Sequence, residues 1–534
     1  VTRHLRYLAF AVVLLGALAL AWAWSAGLLA WGWAAAAAAL AALGVRDLTQ
    51  TRHAILRNYP LLGHLRFLLE LVRPEIRQYF IESDTEAIPF SREQRAMVYQ
   101  RAKQELDKRP FGTQLDVYAS GFEWINHAIV PGRPAGEDFR VSVGGAACAQ
   151  PYAASVFNIS AMSFGSLSAN AILALNRGAR LGGFAHDTGE GSISVHHRVH
   201  GGDLIWEIGS GYFGCRDADG RFDEAAFTRN ALEPQVKMIE VKLSQGAKPG
   251  HGGVLPGPKV TPEIAQARGV PVWTDCISPA SHSAFDTPIG LLAFVARLRT
   301  LSGGKPTGFK LAIGHPWEWF AIARAMLETG ITPDFIVIDG KEGGTGAAPA
   351  EFLDRVGMPM RDGLLLVHDT LVGTGLRDRI RLGAAGRIVS AFDIARTLAL
   401  GADWCNSARG FMFALGCIQA QSCHTGTCPT GVTTQDPLRQ RALVVPDKAQ
   451  RVHAFHGNTL RALAELVAAA GLDHPAQIGP RHILRRVSST EVRSLAELHE
   501  FLAPGELLGG EPRQAVFRQY WAAARPDRFG LQAA

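Results

Sequence analysis

Charge is scarce in this chain. Asp, Glu, Lys and Arg make up 19% of its 534 residues, against about 25% in an average globular protein. What charge there is nearly balances, with 54 Lys and Arg against 48 Asp and Glu for a net of +6. A nucleic-acid binder gathers its basic residues into a footprint, and so thin an excess excludes that class. Cysteine is scarce too, with 7 residues in all, which excludes a secreted disulfide scaffold. No Rossmann dinucleotide domain is expected. Solenoid repeats are absent, and the one low-complexity tract is an Ala-rich run near the start. A hydrophobic share of 47% excludes a disordered or collagen-like chain. At roughly 150 residues per domain the length implies three or four domains, fewer if one is a barrel of about 250 residues.

The apolar residues are concentrated at the start. One run ends at Trp24, a second extends from Leu28 to Val45, and only Ser25-Ala26-Gly27 lies between them. Each is long enough to cross a hydrocarbon core of about 30 Å as a helix, so the pair predicts a transmembrane helical hairpin over 1–47. Arg3 and Arg6 precede it and Arg46, Arg52 and Arg57 follow it, which places both ends in the cytoplasm. Trp22, Trp24, Trp31 and Trp33 bracket the turn, as interfacial indoles do. The rivals are a signal peptide, which a second span would not normally follow at once, and a buried soluble hairpin. From 48 to 150 apolar residues recur at helical spacing, as in Leu61–Glu70 and Arg92–Leu106, predicting a helical arm.

From 151 to 440 short apolar runs alternate with helical stretches. Candidate strands are Ser155–Ala161, Gly183–Asp187, Leu204–Ile208, Met238–Leu243 and Val270–Thr274, then Gly308–Ile313, Phe335–Asp339, Arg387–Ser390 and Ala402–Asn406. Repeated β-α units imply a parallel sheet, and eight or nine of them fit a (β/α)8 TIM barrel, whose chemistry sits where strands end. The stretch 441–534 is expected to be mainly helical.

The strongest motif is Cys417, Cys423 and Cys428 on one loop, a C-x5-C-x4-C spacing closed by Pro429. Three thiolates suit a cluster that takes soft sulfur ligands. Zinc with His424 as a fourth ligand, or three unrelated buried thiols, are the alternatives. Second is Ile338-Asp339-Gly340 running into Gly343-Gly344-Thr345-Gly346, where backbone N–H groups can approach a phosphate unless the glycines are purely steric. Third is Lys242 to Gly253, whose two lysines, Lys242 and Lys248, and the amide Gln245 suit carboxylates or a flavin edge, or else form a solvated basic loop. Fourth are two tight strand-end turns, Ala161 to Ser166 and Asp187 to Gly191, against which a flat ring could lie.

Together these residues resemble the FMN-binding synthase domain of glutamate synthases. The likeness is carried by Ser160-Ala161-Met162-Ser163-Phe164-Gly165-Ser166, Thr188-Gly189-Glu190-Gly191, Gln245-Gly246-Ala247-Lys248-Pro249-Gly250, Gly343-Gly344-Thr345-Gly346-Ala347 and the run from Cys423 to Val432. The arm from Asn58 to Arg66 and the hairpin resemble the short, membrane-anchored branch of that family. The resemblance implies FMN and a [3Fe–4S] cluster on Cys417, Cys423 and Cys428. Met162, Ser163, Gly165 and Gln245 would meet the flavin, Lys310 its N1/O2 edge, and Gly343, Gly344, Thr345 and Gly346 its phosphate. Lys242, Lys248 and Arg268 would grip substrate carboxylates, and Glu190 would orient groups or handle a proton near the reacting carbon. The implied reaction is reduction of the imine of 2-oxoglutarate and ammonia to glutamate.

Two positions depart from that pattern: His251 stands where the family usually has Glu, and Val254 where it has a Gln that helps to bind the 2-oxo acid. With no glutaminase cysteine and no Rossmann domain expected, ammonia is expected free or from a partner amidotransferase. Electrons are expected from a ferredoxin, a flavoprotein or a membrane quinone. The expected setting is the inner (cytoplasmic) membrane, with the catalytic part facing the cytoplasm. Two other functions remain in view, an FMN/Fe–S dehydrogenase of another amino or 2-hydroxy acid and a non-catalytic redox subunit.

Overall fold

The computed structural model describes residues 6–86 and 88–531 and divides into two units, Val1–Ile88 and Pro89–Ala534. Arg3, one of the flanking cations, lies outside the described residues.

In the first unit the two apolar runs form helices Leu8–Ser25 and Trp31–Thr49, which pack against each other. Gly44 permits that approach, since a Cβ there would lie 2.2 Å from the Phe10 ring. Among the described residues one helix, Leu8–Ser25, is apolar and long enough to cross a membrane. The second has lower hydropathy because alanine dominates it and Arg46 and Asp47 close it. Polar ties at the base of the hairpin hold the following segment: the buried Asp47 carboxylate accepts from His64 Nε2 at 2.9 Å and from the Leu61 N–H at 3.0 Å, and Arg6 donates to Asn58 at 3.1 Å. Helix Leu62–Ile76 continues the arm.

The second unit is built on a closed parallel barrel. Its strands are β1 (Phe157–Ile159), β2 (His186–Asp187), β3 (Leu204–Ile208), β4 (Val236–Lys242), β5 (Thr307–Leu311), β6 (Phe335–Asp339), β7 (Arg381–Ala385) and β8 (Trp404–Ser407). They follow one another in sequence order around the ring, β4 pairing with β5 and β8 with β1. Side chains alternate along a strand, so Ile208, Val241, Phe309 and Ile338 pack outward under the helices, while Ile205, Met238, Phe335, Val337 and Trp404 form a separate apolar layer. An antiparallel hairpin, Arg140–Val143 with Tyr152–Ser155, adds Val143 and Ala154 to that layer and plugs the N-terminal end of the barrel. Above the plug the interior turns ionic.

Two expected strands are absent. Val270–Thr274 is a turn after helix Pro262–Arg268, where Val272 and Trp273 are exposed and Pro271 lacks an N–H for any ladder. The short strand pair of this region is Val254–Leu255 with Cys276–Ile277. Arg387–Ser390 is the link from β7 to helix Ala391–Ala399, and the strand itself lies earlier, in Arg-Leu-Gly-Ala-Ala. Those small residues have little strand propensity, but Gly383 faces the Trp404 indole, which leaves no space for a Cβ. The arm's helix Arg92–Lys103 ends earlier than expected, with Gln104 in the left-handed region. The last hundred residues hold the long helix Val445–Ala469, packed on helices Ala169–Gly182 and Arg92–Lys103. They also hold two strands, Ile483–Arg486 and Val492–Ser494, which build a sheet with Glu123–Ile125.

Candidate active site

The C-terminal ends of the strands carry the site. Met162, Ser163 and Gly165 lie in the loop after β1, Glu190 after β2, and Gln245 and Lys248 after β4, whose last residue is Lys242. Lys242 Nζ donates to Glu190 at 2.6 Å and approaches Gln245 Oε1 at 3.5 Å. Burial alone would raise the Glu190 carboxyl, but Lys242, Arg268 and Lys248 around it bring it down to about 2. Lys248, buried beside these groups, is pushed below the usual lysine range by desolvation. The segment after Lys248 folds back over Glu190: a Cβ on Gly253 would lie 2.1 Å from Glu190 Oε1, so a side chain there would push the carboxylate aside. Gly246 is equally constrained against the Gly340 carbonyl, which locks the β4 and β6 loops together. Its N–H donates to Asp339 at 2.8 Å.

Arg268 is buried and committed elsewhere. Its guanidinium donates to the Phe164 carbonyl at 3.2 Å and Ser163 Oγ at 3.4 Å and lies over the Phe213 ring. It therefore fixes the β1 loop as well as facing Glu190. His282 supports the strand end: Nε2 donates to the Lys242 carbonyl at 2.9 Å, and the Tyr212 hydroxyl donates to Nδ1 at 3.1 Å.

Lys310, on β5, points into the barrel. Its ammonium pairs with Glu207, with Glu240 at 3.1 Å and with Asp187 at 3.9 Å, while Lys242 reaches Glu207 at 3.8 Å. The register explains the meeting, because Glu207 pairs with Glu240 and Lys310 with Lys242 on adjacent strands. Burial, with neighbouring acids, pushes Asp187 well above the carboxylate range and Glu240 to about 7. Burial would lower Lys310, but Glu207, Glu240 and Asp187 outweigh it and hold the ammonium firmly charged. Among the described residues the carboxylate oxygens of Asp187, Glu207 and Glu240 are the one set of three or more His, Cys, Asp or Glu ligand atoms within 4.8 Å of one another. Lys310 occupies the place a metal ion would take there.

Gly343, Gly344, Thr345 and Gly346 follow β6. A Cβ on Gly344 would come 3.3 Å from Arg409 Nη2, and one on Gly346 would come 3.2 Å from Ser166 Oγ, so the loop reaches toward the β1 loop with a guanidinium behind it. Arg409 also lines a small cleft with Cys417, Cys423 and Cys428, all free thiols. Burial would raise Cys428, but hydrogen bonds from Thr430 and Thr433 bring it down to about 7. Lys259 Nζ donates to the Cys423 carbonyl at 2.7 Å, linking the cysteine loop to the segment that covers Glu190. His251 and Val254 both lie on that segment and are exposed.

The structure thus brings Glu190, Lys242, Lys248, Gln245, Arg268 and Ser163 together, joins Lys310 to them through Glu207, and leaves the cysteines on a neighbouring loop. Sequence reasoning missed Glu207, Glu240, Arg409 and Lys259. The first two were visible as lone acids inside apolar strands, Leu-Ile-Trp-Glu-Ile and Met-Ile-Glu-Val.

A barrel with ionisable groups converging at the C-terminal mouth defines a (β/α)8 enzyme. Residues 144–473 match the family described as the conserved region in glutamate synthase. The chain is 36% identical over 503 residues to the glutamate synthase large subunit-like protein YerD of Bacillus subtilis (strain 168), covering 86% of this chain and 95% of that one. It is 36% identical over 358 residues to the archaeal-type glutamate synthase (NADPH) of Thermotoga neapolitana, covering 66% of this chain and 64% of that one. It is also similar to the recombinant flavin-binding domain of baker's yeast flavocytochrome b2, at TM-score 0.39 and 12% identity over 73% of this chain and 78% of that one. The chain belongs to the glutamate synthase family and is an oxidoreductase.

Proposed function

We propose that the protein is a membrane-anchored glutamate synthase-type enzyme that reduces the imine of 2-oxoglutarate and ammonia to glutamate. The observation that carries this is the buried cation set, Lys242 and Lys248, gathered around Glu190 at the barrel mouth.

The residues present fit the two cofactors the family implies. The glycine-rich loop Gly343–Gly346, backed by Arg409, suits the phosphate of FMN. Cys417, Cys423 and Cys428 supply three thiols on one cleft, soft ligands of the kind a [3Fe–4S] cluster takes. When bound, FMN supplies hydride and the cluster supplies electrons one at a time. The chain's own residues do the rest. Glu190, ionised throughout the working range, cannot donate a proton and instead orients Lys242 and Lys248. Lys248, with its affinity for protons lowered by burial, is suited to give one to the imine nitrogen. Lys310 lies below as fixed positive charge.

The anchor reading rests on the first unit. Leu15, Leu18, Trp22, Trp24, Trp31 and Trp33 are all more than half exposed, an apolar surface that water does not favour and lipid does. With the hairpin in the inner membrane and its ends in the cytoplasm, a ferredoxin, a flavoprotein or a quinone would deliver electrons, and free ammonia or a partner amidotransferase the nitrogen. Deleting residues 1–46 is expected to move the protein from the membrane fraction to the soluble fraction with flavin still bound. Precipitation with flavin loss would place these helices inside the fold.

A second reading, an FMN/Fe–S dehydrogenase of another amino or 2-hydroxy acid, is favoured by Val254, which offers no hydrogen bond on the segment whose Gly253 meets Glu190. The test is ligand-induced perturbation of the flavin spectrum. Val254→Gln is expected to tighten 2-oxoglutarate binding about 10–150-fold, the worth of one hydrogen bond to a charged group. Lys248→Ala should weaken it. Tight binding of another amino or hydroxy acid, with none of 2-oxoglutarate by either variant, would favour the second reading.

A further inference from the structure

A cavity lies at the other end of the barrel. It has a volume of about 590 Å³, within the range of small-molecule sites. Its wall takes Arg381, the first residue of β7, Asp403, just before β8, and Val156, just before β1. It therefore opens at the N-terminal mouth, roughly 13 Å of strand from the site described above, at about 3.3 Å per residue.

The polar lining consists almost wholly of donors. Three guanidiniums face it, those of Arg140, Arg377 and Arg381, against one carboxylate, Asp403. Asp403 is already satisfied by Arg377 at 2.9 Å and the Leu382 N–H at 2.6 Å. Arg377 spends its other donors on the carbonyls of Ile380 and Gly401 and on His368 Nδ1. Arg140 pairs with Asp138 at the rim at 2.6 Å. Arg381 is different: Nε donates to the Ser142 carbonyl at 3.2 Å, and its two terminal nitrogens have no acceptor among the described residues. The two histidines add donors rather than acceptors. His368 Nδ1 accepts from Arg377 and His474 Nδ1 accepts from the Ala476 N–H, so in each neutral ring Nε2 carries the hydrogen. Burial, and then Arg377, push His368 down to about 4, so that ring is neutral at pH 7. The remaining wall is apolar, with Val141, Leu398, Ile478 and the Phe501 ring.

We propose that this cavity is a second ligand site, for an organic oxyanion, a carboxylate or phosphate carried on a flat or apolar body. A donor-rich, acceptor-poor pocket with one uncompensated guanidinium leaves the charge of Arg381 to be matched by the ligand, and the apolar wall takes up the body. Its position, away from the reacting groups and between the barrel floor and the segment His474–Pro480, makes it a site of regulation rather than of chemistry.

The test is isothermal titration calorimetry of the full-length protein with phenyl phosphate and with benzoate, compared with benzamide and inorganic phosphate. At least one aromatic anion is expected to bind saturably, and whichever binds more tightly identifies phosphate or carboxylate as the natural group. Arg381→Met should weaken it about ten-fold or more, the worth of a charge-assisted hydrogen bond. Ala476→Trp, at an exposed position on the rim, should block entry without disturbing the core, so a folding defect in the Arg381 variant would not leave the question open. Lys248→Ala should leave this binding unchanged. No binding by either anion, equal binding of benzamide or of inorganic phosphate, or loss with Lys248→Ala but not with Arg381→Met would each overturn the proposal.

Discussion

Lys310→Met is expected to cost the protein about 3–5 kcal/mol, because it strips the counter-ion from a buried carboxylate cluster without removing the carboxylates. Glu207, Glu240 and Asp187 surround the Lys310 ammonium, and all four side chains are almost completely buried. A melting-temperature fall of about 3–5 °C is the corresponding signature in a protein of this size. The effect must depend on pH, and its sign follows from the carboxyls. In the wild type Asp187 and Glu240 hold protons that the unfolded chain would release at neutral pH, with Glu240 titrating at about 7. Their contribution is therefore fully present below the usual carboxylate range and is lost as pH rises through about 7. Removing Lys310 raises these groups further, so the gap between variant and wild type should be small near pH 5 and widest near pH 8. Adding Glu240→Gln should narrow it by removing one of the unmatched charges. Thermal melts of the three proteins across that range decide the matter. A gap of constant size would mean that Lys310 acts through packing alone.

This ionic core shows where sequence reading stops. The barrel was legible because its strands alternate with helices and because the outward residues of β3, β4 and β6 are strongly apolar. The site motifs were legible because glycines and small polar residues cluster at strand ends. Glu207 and Glu240 were visible only as isolated charges, and Lys310 was singled out by the family resemblance rather than by any local pattern. Their meeting depends on strand register around a closed ring, which no local pattern encodes. β7 was misplaced for a different reason: Gly383 and its alanine neighbours suit a strand only because the Trp404 indole fills the space beside them. Val270–Thr274 failed in the opposite sense, with β-branched residues but no partner strand. Arg140, Arg377, Arg381 and His474 gave no sequence signal either, since more than 330 positions separate the first from the last. Only the folded chain brings them to one cavity.

Serine replacement at Cys417, Cys423 or Cys428 is expected to remove most of the bound iron while leaving the fold intact. The loop does not depend on a cluster for its shape. The Tyr99 hydroxyl donates to the Cys417 carbonyl at 2.6 Å, Lys259 to the Cys423 carbonyl at 2.7 Å, and Arg439 to the Thr427 carbonyl at 3.1 Å. Gln419 Nε2 donates to the Phe90 carbonyl at 3.0 Å, tying the same loop to the segment before helix Arg92–Lys103. Four anchors from outside the cysteines hold the thiols in place, so each side chain contributes its sulfur more than its packing. A hydroxyl is a poor ligand for iron in such a site, and loss of one of three thiolates leaves too few to retain the cluster. Elemental analysis of anaerobically purified protein should show about three irons per chain in the wild type and less than one in each variant, with flavin content and melting temperature nearly unchanged. Zinc instead of iron in the wild type would replace the cluster by a mononuclear site. Equal loss of iron and flavin, with a melting point many degrees lower, would show that the cysteines hold the fold together and that the flavin depends on them.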